Sequence, residues 1–193
     1  MRTIYLLPLG NADRNLVSGL CSPLQKTFQL PVEVREIRLD LAPFYDDPRG
    51  QFNSTQILQF LKSTELVREK GGRPVSSTLL AILPVDLFIP ILTFVFGEAE
   101  LNGSVAVVSY HRLQNEMYGL PKNRVLLEER LQKEALHELG HVHGLVHCTD
   151  LRCVMHTSTY VEDIDLKTDR FCKECTRNLA GGSGHVSVQL SAG

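Results

Sequence analysis

The chain has 193 residues, of which 43% are hydrophobic, and a formal net charge of −2 at pH 7. This length and composition predict one globular domain with a sizeable core. Because the sequence contains no run of lysine and arginine, neither nucleic acid nor an anionic membrane is expected as a partner.

The first predicted element is a β-strand over residues 4–9, a short apolar run typical of a strand that is buried on both faces. Pro8 and Gly10 interrupt this run and no small-residue cleavage site follows, so we do not expect a signal peptide. The longer apolar stretch 79–96 contains two prolines and an aspartate and is a poor membrane-spanning helix. We therefore expect a cytoplasmic protein.

A helix and a second strand should follow. Apolar residues recur every four positions from Leu16 to Phe28 and predict a helix, which Pro23 should kink or divide. Residues 31–39 alternate apolar and charged side chains and predict the second strand. Ser54 is expected to cap the next helix, which ends at Gly71-Gly72. The apolar face of that helix consists of Ile57, Leu58, Leu61 and Val67.

The middle of the chain predicts a third strand over residues 78–83 and then a β-hairpin. The arms of the hairpin are residues 93–101 and 104–110, and Asn102-Gly103 is a strong turn signal between them. Asn123 is a candidate N-cap for a long helix that follows Pro121. Its expected buried side consists of Val125, Leu127, Leu131, Ala135, Leu139 and Val142. This order of elements predicts an α/β fold with a mostly parallel sheet.

The end of the long helix carries a metal-binding motif. Residues 137–147 read HELGHVHGLVH, in which H-E-x-x-H is followed by a glycine and a third histidine. On a helix, His137 and His141 lie on one face, about 6 Å apart along the axis, so both imidazoles can bind one Zn²⁺. Glu138 can then act as the general base on a zinc-bound water.

The third histidine requires the helix to stop. If the helix continued, His147 would lie about 120° away from the face of the other two histidines. Gly144 allows the chain to turn, because glycine adopts a left-handed conformation without a steric penalty. Three histidine ligands leave one tetrahedral position for water, which is typical of a catalytic zinc. His143 lies on another face and is expected to be exposed or to pack behind the ligands.

The cysteines suggest a second metal site. Cys148 and Cys153 form a C-x4-C pair, Cys172 and Cys175 form a C-x2-C pair, and 18 residues separate the pairs. This spacing is typical of a four-cysteine zinc site. Two disulfides, or a redox-active C-x-x-C pair, remain as alternatives. Cys21 stands alone and is expected to be a buried apolar residue.

The segment from His137 to Cys175 resembles the archaemetzincins, a branch of the metzincin zinc peptidases. The resemblance rests on HELGHVHGLVH, CTDLRCVM and FCKEC in this order. It implies a metzincin-like N-terminal subdomain (1–144) with a mixed five-stranded sheet, a backing helix and an active-site helix. A small zinc-stabilised C-terminal subdomain (145–180) would follow. The glycine-rich residues 181–193 predict a flexible tail.

The resemblance also implies roles for individual residues. His137, His141 and His147 would bind a catalytic zinc with Glu138 as base, and Cys148, Cys153, Cys172 and Cys175 would bind a structural zinc. Met155 would be the Met-turn residue beneath the histidines. Thr157 stands where several metzincin branches have a tyrosine that can swing to the metal, and Tyr160 lies nearby.

The first arm of the hairpin would pair with an extended substrate peptide. The residues expected to form this substrate strand are Gly97, Glu98, Ala99 and Glu100. Glu98 and Glu100 would favour a basic substrate group or would protect an exposed sheet edge. Both functions of these acids remain open from the sequence.

These observations predict a zinc metallopeptidase with two zinc ions per chain and a peptide or protein substrate. A monomer is the default assembly. The alternatives are a zinc hydrolase of non-peptide amides and a weakly active, zinc-stabilised peptide-binding protein. Because His147 and Cys148 are adjacent, the four-cysteine zinc is also expected to hold the loop that presents His147.

Overall fold

The computed structural model describes residues 2–64 and 77–181. Its strands are β1 Ile4–Pro8, β2 Val32–Val34, β3 Tyr45–Asp46, β4 Gln51–Asn53, β5 Thr78–Leu83, β6 Leu87–Phe88, β7 Gly97–Ala99 and β8 Val105–Ser109. Its helices are α1 Arg14–Gly19, α2 Cys21–Phe28, α3 Ser54–Ser63, α4 Arg124–Val142, α5 Val161–Leu166 and α6 Lys173–Gly181. Among these helices, none is both long and apolar enough to span a membrane.

The main sheet has five strands in the order β2-β1-β5-β8-β7. The first four run parallel, and β7 lies antiparallel to β8 at one edge. The predicted α/β fold with a mixed five-stranded sheet is therefore confirmed. A second, small sheet of β3, β4 and β6 was not predicted, because strands of two or three residues are too short to show an alternating pattern.

Helices cover both faces of the main sheet, and alternate residues of its central strand belong to different cores. Leu80 and Ile82 of β5 pack in the core that α1, α2 and α4 share. Leu79 and Ala81 pack in the core under α3. Because α4 lies against β8 and β7, the residues of its C-terminal half are carried to the edge of the sheet.

Two strands are shorter than the sequence predicts. The ladder between β2 and β1 ends after the Arg35 N–H donates to the Leu6 carbonyl, because Pro8 has no N–H for the next bond. The strand predicted over 93–101 begins only at Gly97, since Val95 instead pairs with Leu87 of β6.

Two predicted helix boundaries also differ. The helix predicted through Phe28 is divided at Leu20, three residues before Pro23, because proline cannot donate a bond to the preceding turn. The N-cap of α3 is Asn53, whose side chain accepts the Gln56 N–H, and not Ser54. The predicted apolar residue Val67, the Gly71-Gly72 end of that helix and the tail from residue 182 lie outside the described residues.

The long helix α4 forms as predicted, with the Asn123 side chain accepting the Leu126 N–H. Five of its six expected core residues are buried, but Val125 is 65% exposed in the first turn. The short helix α5 was not predicted. It is held against α4 by Arg130, whose guanidinium binds both carboxylate oxygens of Asp165 at 2.7 and 2.6 Å.

Candidate metal centres and substrate cleft

Two histidines of α4 and one from the loop behind it meet at one point. Gly144, just past the end of the helix, has a φ of +89°, a left-handed conformation that glycine adopts readily. The chain therefore turns, and the ring of His147 lies 5.3 Å from that of His137 and 5.0 Å from that of His141. The ligand atoms of the three imidazoles all lie within 4.8 Å of one another.

The turn of the predicted hairpin lies against the C-terminal end of α4. Asn102 adopts the left-handed conformation with φ +53°, whereas Gly103 does not, although the predicted turn would place both residues there. The Asn102 N–H donates to the His141 carbonyl at 2.9 Å. The same carbonyl also accepts the Gly144 N–H at 2.9 Å, so the contact with Asn102 joins the hairpin turn to the C-terminal end of α4, where His141 lies.

Hydrogen bonds fix which nitrogen of two histidines is free to bind a metal. Nδ1 of His137 lies 2.8 Å from the Val154 carbonyl, and Nδ1 of His141 lies 2.7 Å from the Leu145 carbonyl. A carbonyl only accepts, so both Nδ1 atoms carry the proton and donate. The two Nε2 lone pairs then face each other at 3.1 Å, an arrangement that a shared cation stabilises. The residues fit a zinc ion.

Glu138 lies beside this cluster and is only 5% exposed. Burial raises the pKa of its carboxyl well above the usual value, the nearby Glu134 and Glu98 raise it further, and Lys167 lowers it. Burial also disfavours the charged form of His137 and therefore lowers its pKa, which favours the neutral imidazole that binds metals. A buried carboxyl with a raised pKa is suited to accept a proton from a reacting group.

Gly97 of β7 faces Glu138 directly. A Cβ atom at position 97 would lie 2.7 Å from both Cγ and Oε1 of Glu138, which is closer than side chains pack. The backbone of β7 therefore rests on the Glu138 carboxyl, and glycine is required because of this close approach.

Met155 lies beneath the histidine face of α4. It is fully buried, and a Cβ atom at Gly140 would collide with its Sδ atom. Gly140 stands between His137 and His141 in the sequence, so the sulfur packs against the helix backbone at this point. This is where the resemblance expects an apolar floor.

The four cysteines after α4 form a second cluster. Their sulfur atoms lie within 4.8 Å of one another, all four are free thiols, and the Sγ atoms of Cys148 and Cys172 are 3.8 Å apart. The described part of the chain therefore contains no disulfide. Burial raises the pKa of the Cys175 thiol, so a cation is needed to hold it as a thiolate. Four converging sulfurs fit a tetrahedral zinc.

Backbone contacts join the two clusters. The Cys148 N–H donates to the Met155 carbonyl at 2.9 Å, and Nδ1 of His156 donates to the Cys148 carbonyl at 2.9 Å. Cys148 is thus held on both sides of its backbone, one residue after His147. These contacts attach the residue that follows the third histidine to the segment that the cysteines enclose.

A cleft of about 720 Å³ opens over the histidines. β7 forms one wall, and residues 157–160, His137 and Glu138 contribute to the lining. Tyr160 is 65% exposed at the rim. The open side of the histidine cluster therefore faces a space that accommodates a substrate.

The two acids of the substrate strand are engaged within the protein. The Glu98 carboxylate accepts hydrogen bonds from the hydroxyls of Ser54 and Thr55, the latter at 2.9 Å. Glu100 pairs with Lys62 of α3. The Lys62 ammonium compensates the charge of Glu100, whereas the hydroxyls fix the position of the Glu98 carboxylate in the cleft lining without neutralising its charge.

Sequence reasoning missed a buried ion pair beside the cleft. Lys167 Nζ lies 3.1 Å from Glu134 Oε1 and 3.1 Å from the His156 carbonyl oxygen. Both side chains are buried, with exposed fractions of 0% for Lys167 and 4% for Glu134. The partners are 33 positions apart, so no local pattern in the sequence could reveal the pair.

His143 is neither exposed nor packed behind the histidine cluster. Its ring stacks on Phe28 of α2, with centroids 5.0 Å apart and planes 19° apart. Its Nε2 atom is buried without a hydrogen-bond partner among the described residues. Burial and the charge of Arg2 lower the pKa of His143 to about 4. The expectation is corrected because α2 covers this face of the helix end.

Replacement of His143 by phenylalanine is expected to increase the tolerance to acid. The unfolded chain takes up a proton at His143 below about pH 6.5, whereas the folded chain takes one up only near pH 4. His143 therefore destabilises the fold progressively as the pH falls between these values. The Tm of His143→Phe should exceed that of the wild type by about 3 °C more at pH 5 than at pH 8. A constant Tm difference would contradict the buried, neutral imidazole.

Comparisons with known proteins identify the family. The sequence model of peptidase family M54 matches residues 23–181. An archaemetzincin from Methanocaldococcus jannaschii is 38% identical over 185 residues, which are 96% of this chain and 97% of the relative.

Solved structures agree with this match. The archaemetzincin of Methanopyrus kandleri is 30% identical with a TM-score of 0.78, covering 93% of this chain and 94% of that one. A zinc-dependent peptidase of Methanocorpusculum labreanum is 27% identical with a TM-score of 0.78, covering 91% and 99%. The fold, the site and these matches together define a zinc metallopeptidase. The chain belongs to peptidase family M54, the archaemetzincins.

Proposed function

We propose that the protein hydrolyses peptide bonds at the three-histidine site, with Glu138 as general base. The observation that carries this proposal is the convergence of His137, His141 and His147 beside one buried carboxyl, at the bottom of an open cleft. A bound zinc would lower the pKa of a water molecule and polarise the scissile carbonyl. The residues of the chain then have to bind the peptide, orient the reacting groups and transfer protons.

Each of these tasks has a candidate residue. The carbonyls of Val154 and Leu145 hold the imidazoles of His137 and His141 in the tautomer that directs Nε2 to the metal. Glu138 takes the proton from the attacking water and passes it to the leaving amine. The raised pKa of Glu138 favours its protonated form after the first transfer.

The substrate backbone should lie along β7. Phe96 and Glu100 form main-chain hydrogen bonds with β8, and bonding alternates along an antiparallel pair. The peptide groups of Gly97 and Ala99 are therefore directed away from β8, where an extended peptide can pair with them. Gly97 also contacts Glu138, so a peptide on this edge lies next to the proposed base.

Alanine at position 97 is expected to reduce kcat by about 10- to 100-fold, because its Cβ displaces the Glu138 carboxyl and a misplacement of about 1 Å has this order of effect. The measurement is kcat for a peptide substrate. Gly19→Ala is the matched control, since nothing lies within 4 Å of a Cβ atom there. Wild-type kcat in folded Gly97→Ala would contradict the proposed contact.

We further propose that the four cysteines bind a second, structural zinc. Their sulfurs are close enough to share one ion, and Cys148 is bonded through its backbone to Met155 and, through its carbonyl, to His156. The structural zinc would order this segment before the catalytic metal binds. Met155 then serves as the apolar floor under the histidines.

A digest of a diverse peptide mixture, analysed by mass spectrometry, tests the proposed activity. Zinc-loaded protein should produce new termini, and a chelator should prevent them. Cleavage of other amides without any peptide cleavage would favour a zinc hydrolase with another substrate. Peptides retained on the protein but left intact would favour a binding protein. Either result would overturn the peptidase proposal.

A further inference from the structure

The buried pair of Glu134 and Lys167 forms part of the cleft wall. Glu134 lines the cleft and is 3% exposed, whereas Lys167 lies fully buried behind it. Oε1 of Glu134 accepts the hydrogen bond from Lys167, and Oε2 has no hydrogen-bond partner among the described residues. The small exposed part of this carboxylate therefore faces the space that a substrate occupies.

The pair is close to the reacting groups. Glu134 precedes His137 by three residues and Glu138 by four on α4, which correspond to about 4.5 and 6 Å along the helix axis. A substrate side chain next to the scissile bond is long enough to reach this part of the wall. The neighbouring lining from Phe94 to Phe96 is apolar.

A carboxylate alone in such a wall would attract a basic side chain. Lys167 prevents this, because its ammonium group lies 3.1 Å from Glu134 and compensates the negative charge. The His156 carbonyl holds the same ammonium group at 3.1 Å, so the lysine is fixed in this position. A second cation placed against Glu134 would be repelled by Lys167 and would lose its hydration.

We propose that Lys167 determines substrate specificity by cancelling the charge of Glu134 in the cleft wall. The part of the cleft wall at Glu134 then accepts an uncharged substrate side chain and discriminates against a basic one. This inference rests on the proposed peptidase function and adds its substrate class.

Lys167→Met should reverse the discrimination. A peptide cleaved in the digest is remade with Met or Lys at each of the two residues that flank the cleaved bond, one at a time. For the wild type, kcat/KM should be higher for the Met peptide at one of these positions. In Lys167→Met, the ratio of kcat/KM for the Met peptide to kcat/KM for the Lys peptide should fall by about tenfold. The reason is that the substrate amine becomes the partner of the unpaired Glu134.

Three further variants separate the effect of charge from that of structure. Lys26→Met removes an exposed lysine of α2 and should leave the ratio unchanged. The double variant Glu134→Gln/Lys167→Met removes both charges and should restore the wild-type ratio. If Lys167→Met does not fold, Glu134→Gln alone should shift preference toward a Glu-containing peptide, because Lys167 is then uncompensated.

Binding provides a readout that does not depend on turnover. Dissociation constants of the same peptides for the Glu138→Ala variant, with and without Lys167→Met, should show the same shift in preference. A wild type that prefers the Lys peptide, or a ratio that Lys167→Met leaves unchanged, would overturn the inference. If the digest yields no cleavage, the Met and Lys versions are made from a peptide that the protein retains, and discrimination between them in binding would support the inference and refute the peptidase function.

Discussion

Glu138→Ala is expected to abolish peptide hydrolysis while the protein keeps its zinc. Loss of a general base reduces turnover by about 10³-fold. The metal should remain, because the candidate ligand group contains His137, His141 and His147 but not Glu138. The measurement is kcat for a peptide found in the digest, together with the zinc content of the same preparation.

Glu129→Ala is the matched control, since Glu129 is an exposed glutamate on the same helix. It should have wild-type kcat and zinc content. Glu138→Gln, which keeps the shape of the side chain and cannot take up a proton in the same way, should be as inactive as the alanine variant. Cleavage by Glu138→Ala at the wild-type rate would remove Glu138 from the mechanism, and loss of zinc would assign it to metal binding.

Cys172→Ser is expected to weaken zinc binding at the three histidines as well as at the cysteines. Removal of one sulfur ligand should release the segment around Cys148, whose backbone bonds to Met155 and His156. His147 would then have to be ordered by the catalytic metal itself. Loss of such supporting contacts weakens metal affinity by about 10- to 100-fold.

Competition with a chelator measures both affinities in this experiment. Cys21→Ser is the matched control, because Cys21 is a free cysteine on α2 and belongs to neither candidate metal group. It should leave both affinities unchanged. An unchanged affinity at the histidines of folded Cys172→Ser would show that the two sites are independent.

Patterns of residues close together in the sequence were sufficient to predict the elements nearest to the histidine cluster. The helix from Asn123 to Val142, the turn at Gly144 and the buried strand from Thr78 to Leu83 all occur as predicted. Each depends on residues a few positions apart, through a helix cap, a left-handed glycine or a continuous apolar run.

Errors occurred where a distant partner decides the structure. Val95 leaves the predicted hairpin because Leu87 pairs with it, and His143 is covered because α2 packs on it. The sequence left the role of Glu98 open, and its contacts with the hydroxyls of Ser54 and Thr55 come from residues more than 40 positions away. Such contacts between separate parts of the chain leave no periodic signal.

The sequence by itself determined the family of this protein and its candidate metal ligands, because the spacing of three histidines and four cysteines is specific to few proteins. Only the tertiary structure decided the surroundings of that chemistry. The contact of Gly97 with Glu138, and the burial of Lys167 against Glu134, both join residues more than 30 positions apart. Packing brings these residues together, and it thereby sets the position of the Glu138 carboxyl and the pairing of Glu134 in the cleft wall.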